Sequence, residues 1–429
     1  MIQYIIMNQD YRPLPEAAIK AWKRAAVLPF YKKILAKNGL EPTSIKTAED
    51  FLKLAPIISK EDIFLDAMPE DLSAEPVSEL ASAIVSSGTS GTFSYGLIMK
   101  KDLGRQREAI DSMLNYFFQA DKIKPLIINA LPMGVSFFSS YPVIPTSVRT
   151  DIANQIVKKF AKHFGQIIVI TDPHVAKKMI EEGLETGIDW TALKISFVIG
   201  GAGTSSSFES YLQSLVGAGK IFCTMGITEI GLNLFYAAPE LIGLRSEIQK
   251  NPEVLEKLFG QRIACPEIFA YDPQRVFVEI KNPDANGFGN IVLTSLDENN
   301  PTPLPRYDTG DFGKIIPDGA IPQVPVEMPL IAVVGRVGDW LISDNRQIGP
   351  DTIKELLYQN SSIAGKITDH FFMSNKNGLE ISVQLKKNAS LSASDKEKLA
   401  KLSIIGVQYE NYNHAMTLDY EIKWKHVDR

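Results

Sequence analysis

The feature that most constrains the fold is an alternation of short apolar runs with helical patterns, which begins near residue 125. The apolar runs are rich in β-branched residues and read "PLIINALP", "QIIVIT", "ISFVIGG" and "IFCTMG". Between them lie "SVRTDIANQIVKKFAKHFG", "DPHVAKKMIEEGL" and "SSSFESYLQSLVGAGK", which are typical of helices. Strands that alternate with helices form parallel sheets with covering helices. The sequence therefore predicts an α/β fold with a mixed or parallel sheet.

The regions on either side of this alternation follow other patterns. The stretch "PEAAIKAWKRAAVLPFYKKILAKNGL" predicts an amphipathic helical region that ends at Asn38–Gly39. The stretch "RVFVEIKNPDANGFGNIVLTSL" predicts two strands joined by a polar turn, as an antiparallel β appendage. After "VVGRVGDWL" come a helix "PDTIKELLYQN", paired strands around "SNKNG", a helix "SASDKEKLAKL" and a final strand "LDYEIKWKHVD". We expect a large α/β domain over residues 1–337 and a small, mobile α+β domain over residues 338–429.

Composition excludes several classes of protein. The 429 residues carry a formal net charge of −5 without a basic stripe, so nucleic acid is not an expected partner. No stretch approaches the ~20 apolar residues of a membrane span, and the opening "MIQYIIMNQD" does not resemble a signal peptide. The two cysteines, Cys223 and Cys265, form no CxxC pair, which argues against a disulfide framework. We expect a cytoplasmic protein that acts on small molecules and not on a membrane.

The stretch "SSGTSG" at residues 86–91, the Gly/Ser/Thr loop, directly follows an apolar strand. Glycine lets backbone N–H groups approach an anion, so the loop could cradle one; a flexible surface turn is the alternative. A Walker loop would need GK[ST], but Gly91 precedes Thr92 and Phe93. The chain has no GxSxG nucleophile elbow and no HExxH metal motif. These absences exclude a Walker-type nucleotide site and argue against a serine hydrolase.

Five short motifs occur in a fixed order along the chain: "SSGTSG" at 86–91, "IGGAG" at 199–203, "MGITEIG" at 225–231, "YDTGDFG" at 307–313 and "GRVGDWL" at 335–341. In this order they resemble SSGTTG, GG(A/E), YGxTE, YxTGD and GRxDD of the adenylate-forming (acyl-CoA synthetase-like) superfamily. The segment "PFYKKILAKNGLEPTSIKTAEDFLKLAPIISKEDI" resembles the start of its phenylacetate-CoA ligase branch. The segment "IMKKD" resembles a neighbouring branch, the acyl-protein synthetases of bacterial bioluminescence. The resemblance covers nearly all of the chain.

This resemblance implies an acid–thiol ligase. Such enzymes join a carboxylic acid to ATP, which gives an acyl-adenylate and pyrophosphate, and then pass the acyl group to a thiol. The implied cofactors are ATP, Mg²⁺ and coenzyme A, with an aromatic acid as the favoured substrate and an acid pocket near "PMGVSFFSSYP" and "IGGAG". Two alternatives remain open: an acyl-protein synthetase whose acceptor is a protein or carrier thiol, and a non-catalytic nucleotide-binding regulatory or scaffold protein. A homodimer is also open.

The resemblance assigns roles to particular residues. The phosphate-binding positions are Ser86, Ser87, Gly88, Thr89, Ser90 and Gly91. Thr228 would meet the α-phosphate, and Glu229 would hold magnesium, which prefers hard oxygen ligands. Asp311 would accept both ribose hydroxyls. Arg336 would bind a ribose hydroxyl or a phosphate oxygen, with an interdomain ion pair as the alternative.

Small residues and the C-terminal domain complete the predicted site. Gly200, Gly201 and Ala202 are small enough for an adenine or an acyl chain to lie against the backbone, although tight helix–strand packing would also explain them. Gly226 is a further predicted cofactor-binding position. Gly338 and Asp339 are the predicted pivot of the small domain.

The lysine of the small domain is less certain, and one expected lysine is missing. The predicted catalytic lysine is Lys423, with Lys425 as the alternative. Residues 93–96 replace the Pro-Lys-Gly tail that follows the phosphate loop in the superfamily, so one positive charge is absent from its expected place.

Overall fold

The computed structural model describes residues 15–86, 92–132, 135–322, 324, 326–343, 346–374, 380–400 and 407–411. The α-helices of these residues are α1 (Pro15–Ala25), α2 (Pro29–Lys37), α3 (Ala48–Leu54), α4 (Lys60–Phe64), α5 (Pro69–Leu72), α6 (Leu103–Phe118), α7 (Thr150–Phe160), α8 (Pro173–Glu185), α9 (Ser206–Val216), α10 (Pro239–Gln249), α11 (Pro252–Phe259), α12 (Pro350–Tyr358), α13 (Ser361–Ala364) and α14 (Ala393–Ala400).

The strands are β1 (Leu80–Val85), β2 (Tyr95–Met99), β3 (Pro125–Ala130), β4 (Val143–Pro145), β5 (Gln166–Thr171), β6 (Ile195–Ile199), β7 (Ile221–Ile227), β8 (Gly231–Ala237), β9 (Glu267–Tyr271), β10 (Val276–Lys281), β11 (Gly289–Ser295), β12 (Tyr307–Ile316), β13 (Leu330–Arg336), β14 (Leu341–Ser343), β15 (Arg346–Ile348), β16 (Ile367–Ser374), β17 (Glu380–Leu385) and β18 (Val407–Asn411).

One large mixed sheet forms the centre of the molecule. Its strand order is β10-β11-β12-β13-β9-β8-β7-β6-β5-β3-β4. The strands from β4 through β3, β5 and β6 to β7 are parallel, and every later pair is antiparallel. The α/β fold class and its parallel strands are therefore confirmed. The strands predicted as an antiparallel appendage, β10 and β11, form the far edge of this same sheet.

The sheet's two halves are buried by different helices. The parallel strands are largely buried. Most of their buried side chains pack with Trp190 and Phe208 in one large core, whereas Ile127 and Ile168 belong to a second, smaller cluster. The N-terminal helical region covers the antiparallel half, where the buried Tyr31 hydroxyl donates to the Pro303 carbonyl at 3.0 Å. This region divides at Leu28–Pro29, because proline fits the first turn of a new helix but not the interior of an old one.

The described residues from 338 onward are called here the C-terminal unit. The predicted helix near 350–360 and the paired strands on either side of "SNKNG" are present, as α12 and the antiparallel pair β16–β17. Strand β18 pairs parallel to β17, which the sequence did not predict, and the predicted strand at 418–428 lies outside the described residues. Within the described ranges, no helix combines the length and the apolar character that crossing a membrane requires.

Candidate active site

The Gly/Ser/Thr loop connects two antiparallel strands, β1 and β2. Its neck is closed by Ser86 and Ser94: the Ser86 backbone N–H donates to the Ser94 carbonyl at 2.9 Å, and their two hydroxyl oxygens are 2.8 Å apart. Ser94 is fully buried, so the neck is fixed. The predicted phosphate ligands Ser87, Gly88, Thr89, Ser90 and Gly91 lie outside the described residues.

The end of this hairpin packs directly against the turn between β7 and β8, which carries Thr228 and Glu229. A Cβ atom on Gly96 would overlap the Thr228 carbonyl oxygen, so the close approach requires glycine. The Glu229 side chain is buried, and it forms a hydrogen bond with Tyr307 that, together with burial, raises the pKa of the tyrosine. The structure therefore brings two sequence-distant motifs, the loop and "MGITEIG", to one place.

A cross-strand ion pair, Asp311 with Arg336, lies beside this turn. The two residues oppose each other on β12 and β13, and Arg336 Nε is 3.1 Å from Asp311 Oδ1. Arg336 also donates to the Thr309 carbonyl at 2.9 Å. Among the described residues, the ion-pair partner of Arg336 is in its own sheet, and Asp339 of the C-terminal unit lies within its electrostatic reach, so the interdomain alternative for Arg336 stays open.

The two members of this pair differ in their surroundings. The Arg336 side chain is 57% exposed, whereas that of Asp311 is 7% exposed. Burial raises the pKa of Asp311 to about 6, against the opposing effects of Arg336 and of the hydrogen bond with Thr309. The second carboxylate oxygen, Oδ2, is buried without a hydrogen-bond partner among the residues that the structure describes. A buried acceptor of this kind costs free energy unless a donor reaches it.

The small residues predicted to line the site separate into two groups. A Cβ on Gly200 or Gly226 would overlap neighbouring backbone, at Thr224 and Leu232 respectively, so strand packing accounts for both glycines. Gly201 and Ala202 instead lie exposed just beyond the carboxyl end of β6, and space is open around Gly201. Ligands of open α/β sheets bind at such strand ends. A role for Gly226 in binding stays a prediction without separate support.

The predicted pivot residues follow the ion-paired strand. Gly338 has φ +94° with open space around it, and the Asp339 N–H donates to the Arg336 carbonyl at 3.3 Å. The next residue is anchored, because the Trp340 ring packs edge-on against Phe312 with centroids 4.8 Å apart. Both Lys423 and Lys425 lie outside the described residues. The pivot and the catalytic lysine therefore stay predictions.

Sequence analysis missed one cation at this site, Lys60. Its ammonium lies 3.2 Å from the Ser86 hydroxyl, at the neck of the loop. The backbone shortly before Lys60 is held at the start of the motif "YDTGDFG". The Ile58 N–H donates to the carbonyl of Arg306, directly before the motif, at 3.1 Å, and the Asp308 N–H donates to the Ile58 carbonyl at 2.9 Å. The sequence shows that a helix starts here, through the capping box of Ser59 and Asp62, but not what that helix approaches.

A buried polar cluster lies beneath the "IGGAG" segment. Glu209, Cys223 and Glu267 bring ligand atoms within 4.8 Å of one another, a spacing that a metal ion could use. However, Arg245 already donates to Glu209 at 2.7 Å, and a guanidinium disfavours a second cation. Burial raises the pKa of Glu267 to about 7. The Thr204 hydroxyl oxygen lies 2.7 Å from a carboxyl oxygen of Glu209 and 2.7 Å from one of Glu267, so the cluster fixes the chain that follows the segment.

A cavity lies at one of the two segments predicted to shape the acid pocket, and the pocket itself stays a prediction. A cavity of about 490 Å³ opens beside the segment that the sequence analysis singled out, and its walls are Leu103, Gly104, Arg107, Phe137, Phe138, Ser139, Tyr141 and Val143. Gly201 and Ala202 are not among these walls. The structure thus has a cavity with aromatic walls at the segment "PMGVSFFSSYP", and the segment "IGGAG" does not line it.

Comparisons with known proteins agree on the fold. No protein-family model and no curated protein sequence matches the chain. Among solved structures, the chain is similar to 2-hydroxyisobutyryl-CoA ligase in the postadenylation state with 2-HIB-AMP, with TM-score 0.67 and 16% identity over 93% of this chain and 85% of that chain. Against the same ligase with 2-HIB-AMP and CoA in the thioesterification state, the TM-score is 0.56 at 16% identity, over 93% and 87%. The chain therefore has the fold of an adenylate-forming CoA ligase.

Proposed function

We propose that this protein activates a carboxylic acid with ATP and transfers the acyl group to a thiol, with coenzyme A as the acceptor. The observation that carries the proposal is the buried Oδ2 of Asp311, which has no hydrogen-bond partner among the described residues and lies within electrostatic reach of Glu229 and Arg336. A pair of ribose hydroxyls supplies the donors that such a carboxylate lacks. The adenylate-forming fold and the order of the five motifs support this choice of ligand.

The remaining groups suit the phosphates of ATP. Magnesium is usually held by one or two carboxylates together with substrate phosphates, and Glu229 offers one buried carboxylate next to the hairpin that carries the loop. When bound there, the ion would neutralise phosphate charge. Arg336 is mostly exposed although it pairs with Asp311, so its remaining donors are available to a phosphate or ribose oxygen.

The chemistry proceeds in two steps. First, a carboxylate oxygen of the acid bonds to the α-phosphorus, and the bond to pyrophosphate breaks. Second, the thiol sulfur bonds to the acyl carbon, the acyl–phosphate bond breaks, AMP leaves and the thiol proton passes to solvent. In this scheme Asp311 holds the ribose, Thr228 meets the α-phosphate, and Lys423 of the small domain brings positive charge to it during the first step. Rotation of residues 338–429 about Gly338 and Asp339 would then open the site to the thiol.

The finer assignments rest on sequence resemblance. An aromatic acid and the phenylacetate-CoA ligase branch are proposed from the N-terminal segment, and the Phe137–Phe138 cavity is compatible with an aryl group. A cytoplasmic location follows from composition and stays a prediction.

The decisive experiment is incubation of the full chain with ATP, Mg²⁺ and a panel of aromatic and fatty acids, with pyrophosphate release and thioester formation as readouts. Pyrophosphate release that depends on one acid class, followed by CoA thioester, is the expected result. Pyrophosphate release with no CoA thioester would favour a protein thiol as acceptor. ATP binding without release with any acid would favour a regulatory or scaffold protein and contradict the proposal.

A further inference from the structure

The Gly/Ser/Thr loop has no cation of its own. From Ser86 to Met99 the chain contains neither lysine nor arginine. The next lysines, Lys100 and Lys101, form ion pairs with Glu79 and Glu75. These pairs lie where Leu80 pairs with Met99, at the end of the hairpin opposite the loop, about 17 Å away for five residues at ~3.4 Å each. They cannot serve the loop in this arrangement.

Lys60 brings a positive charge to the neck of the loop, which Lys100 and Lys101 do not reach. Its ammonium reaches the Ser86 hydroxyl at 3.2 Å, from a helix on the other side of the neck. It is partly buried, and among the described residues it forms an ion pair with no carboxylate. Ammonium groups taken out of water are usually paired with an anion in direct contact, and the hydrogen bond of Lys60 is to a neutral hydroxyl.

The charges that face Lys60 define one site. Burial and Arg336 lower the pKa of Lys60, whereas Glu229 and Glu61 raise it. Lys60 therefore lies within electrostatic reach of both the proposed magnesium ligand and the proposed nucleotide arginine. Its backbone is fixed by the bridge between Ile58 and Tyr307, so the side chain extends from a rigid base.

We infer that Lys60 binds the β- and γ-phosphates of ATP and replaces, from a different part of the chain, the lysine that the loop lacks. This assignment rests on the proposed function, since it names a ligand contact of the same site. A lysine here adds positive charge where pyrophosphate departs, while Asp311 and Arg336 hold the nucleoside end. The N-terminal segment is thereby part of the active site and not only a cover for the sheet.

The test compares two nucleotides on the full chain by calorimetry with Mg²⁺: α,β-methylene-ATP, which retains all three phosphates, and AMP. Lys60→Met should weaken the ATP analogue about 10- to 100-fold, as expected for a lost charged hydrogen bond, and change AMP less than about twofold. Lys60→Arg should retain most of the affinity. Lys100→Met is the matched control, because it removes a lysine from the far end of the same hairpin.

Each outcome decides between the assignments. Equal weakening of both nucleotides, or no weakening of either, with normal wild-type binding, would overturn the role of Lys60 and leave the proposed function standing. Failure of the wild-type protein to bind either nucleotide would overturn the proposed function, and Lys60 with it. If Lys60→Met does not fold, Lys60→Gln keeps a donor to Ser86 without the charge and gives the same comparison.

Discussion

Two buried carboxylates in this molecule, Glu181 and Asp311, are paired in different ways. Lys177 and Glu181 lie on α8, next to the C-terminal unit. Lys177 donates to both Glu181 oxygens at 2.8 Å and to the Ile367 carbonyl at 2.7 Å. Glu181 also accepts from Tyr211 at 2.7 Å and pairs with Lys386 at 2.8 Å. Within the part of the chain that the structure describes, Asp311 of the candidate active site has one ion-pair partner and one buried oxygen without a donor.

The two carboxylates differ in how many of their oxygens have a partner among the described residues. At the Lys177 pair, each desolvated atom has a partner within the protein, which is how buried charges persist in a stable fold. At Asp311, one carboxylate oxygen has no hydrogen-bond partner among the described residues, and the charged partner of the other is an arginine that is half in solvent.

The largest expected effect is at the satisfied pair. Lys177→Met should lower the free energy of unfolding by about 3 kcal/mol, since breaking a buried pair leaves an uncompensated charge, which Lys386 offsets only in part. Denaturant titration of the full chain measures this. The neighbouring Lys178→Met is the control: that lysine is 43% exposed and its carboxylate partner is 3.9 Å away, so a change under about 1 kcal/mol is expected. Equal losses of unfolding free energy in the Lys177→Met and Lys178→Met variants would contradict the structural role of the Lys177–Glu181 pair.

The unsatisfied carboxyl should instead destabilise the protein. Burial raises the pKa of Asp311 to about 6 in the folded state, so the folded protein favours the protonated carboxyl. The contribution of this protonated carboxyl to the free energy of unfolding is complete below pH ~4 and is lost as the pH rises through 6. Asp311→Asn should therefore be more stable than wild type above pH 6, by on the order of 2–3 kcal/mol, with the difference vanishing near pH 4. Unfolding titrations of both proteins across this range test it. A pH-independent difference would contradict the buried, unpaired carboxyl.

Asp311 should favour ATP binding, although its buried carboxylate lowers the stability of the protein above pH 6. Asp311→Ala should reduce ATP affinity by about 1.5–3 kcal/mol, the range for hydrogen bonds to charged groups. A nucleotide without ribose hydroxyls should lose much less in the variant than in wild type. Calorimetry measures the affinity of both nucleotides for wild type and for the Asp311→Ala variant. If removal of the ribose hydroxyls weakens binding equally in the two proteins, Asp311 does not bind the ribose.

The smallest effect is expected at the exposed partner. Arg336→Gln should change the free energy of unfolding by less than about 1 kcal/mol, because a side chain that is 57% exposed keeps most of its hydration. It should also raise the Asp311 pKa further, since Arg336 is the group that lowers it most. The pH dependence described above would then shift upward. A large stability loss would mean that Arg336 is a structural residue comparable to Lys177.

Much of the site followed from short motifs, and the rest depended on packing. Glu229, Asp311 and Arg336 were recognisable by resemblance, and the structure places them within one electrostatic neighbourhood. Gly226 looked like a ligand contact, yet the approach of Leu232 explains it. Nothing in the local sequence around Lys60 indicates its proximity to Ser86, because two contacts made elsewhere, at Arg306 and Asp308, set that position.

The sequence by itself determined the alternation of strands and helices, since side-chain periodicity reflects the geometry of each element and needs no distant partner. It also determined the order of the five motifs. Only the tertiary structure decided that β10 and β11 continue the central sheet and that Lys60 reaches the loop. The tertiary structure also decided how the two buried carboxylates are paired. Among the described residues, one oxygen of Asp311 has no hydrogen-bond donor, whereas both oxygens of Glu181 have one. These features depend on contacts between distant residues, whose burial and pairing follow from how the elements pack and not from any local pattern.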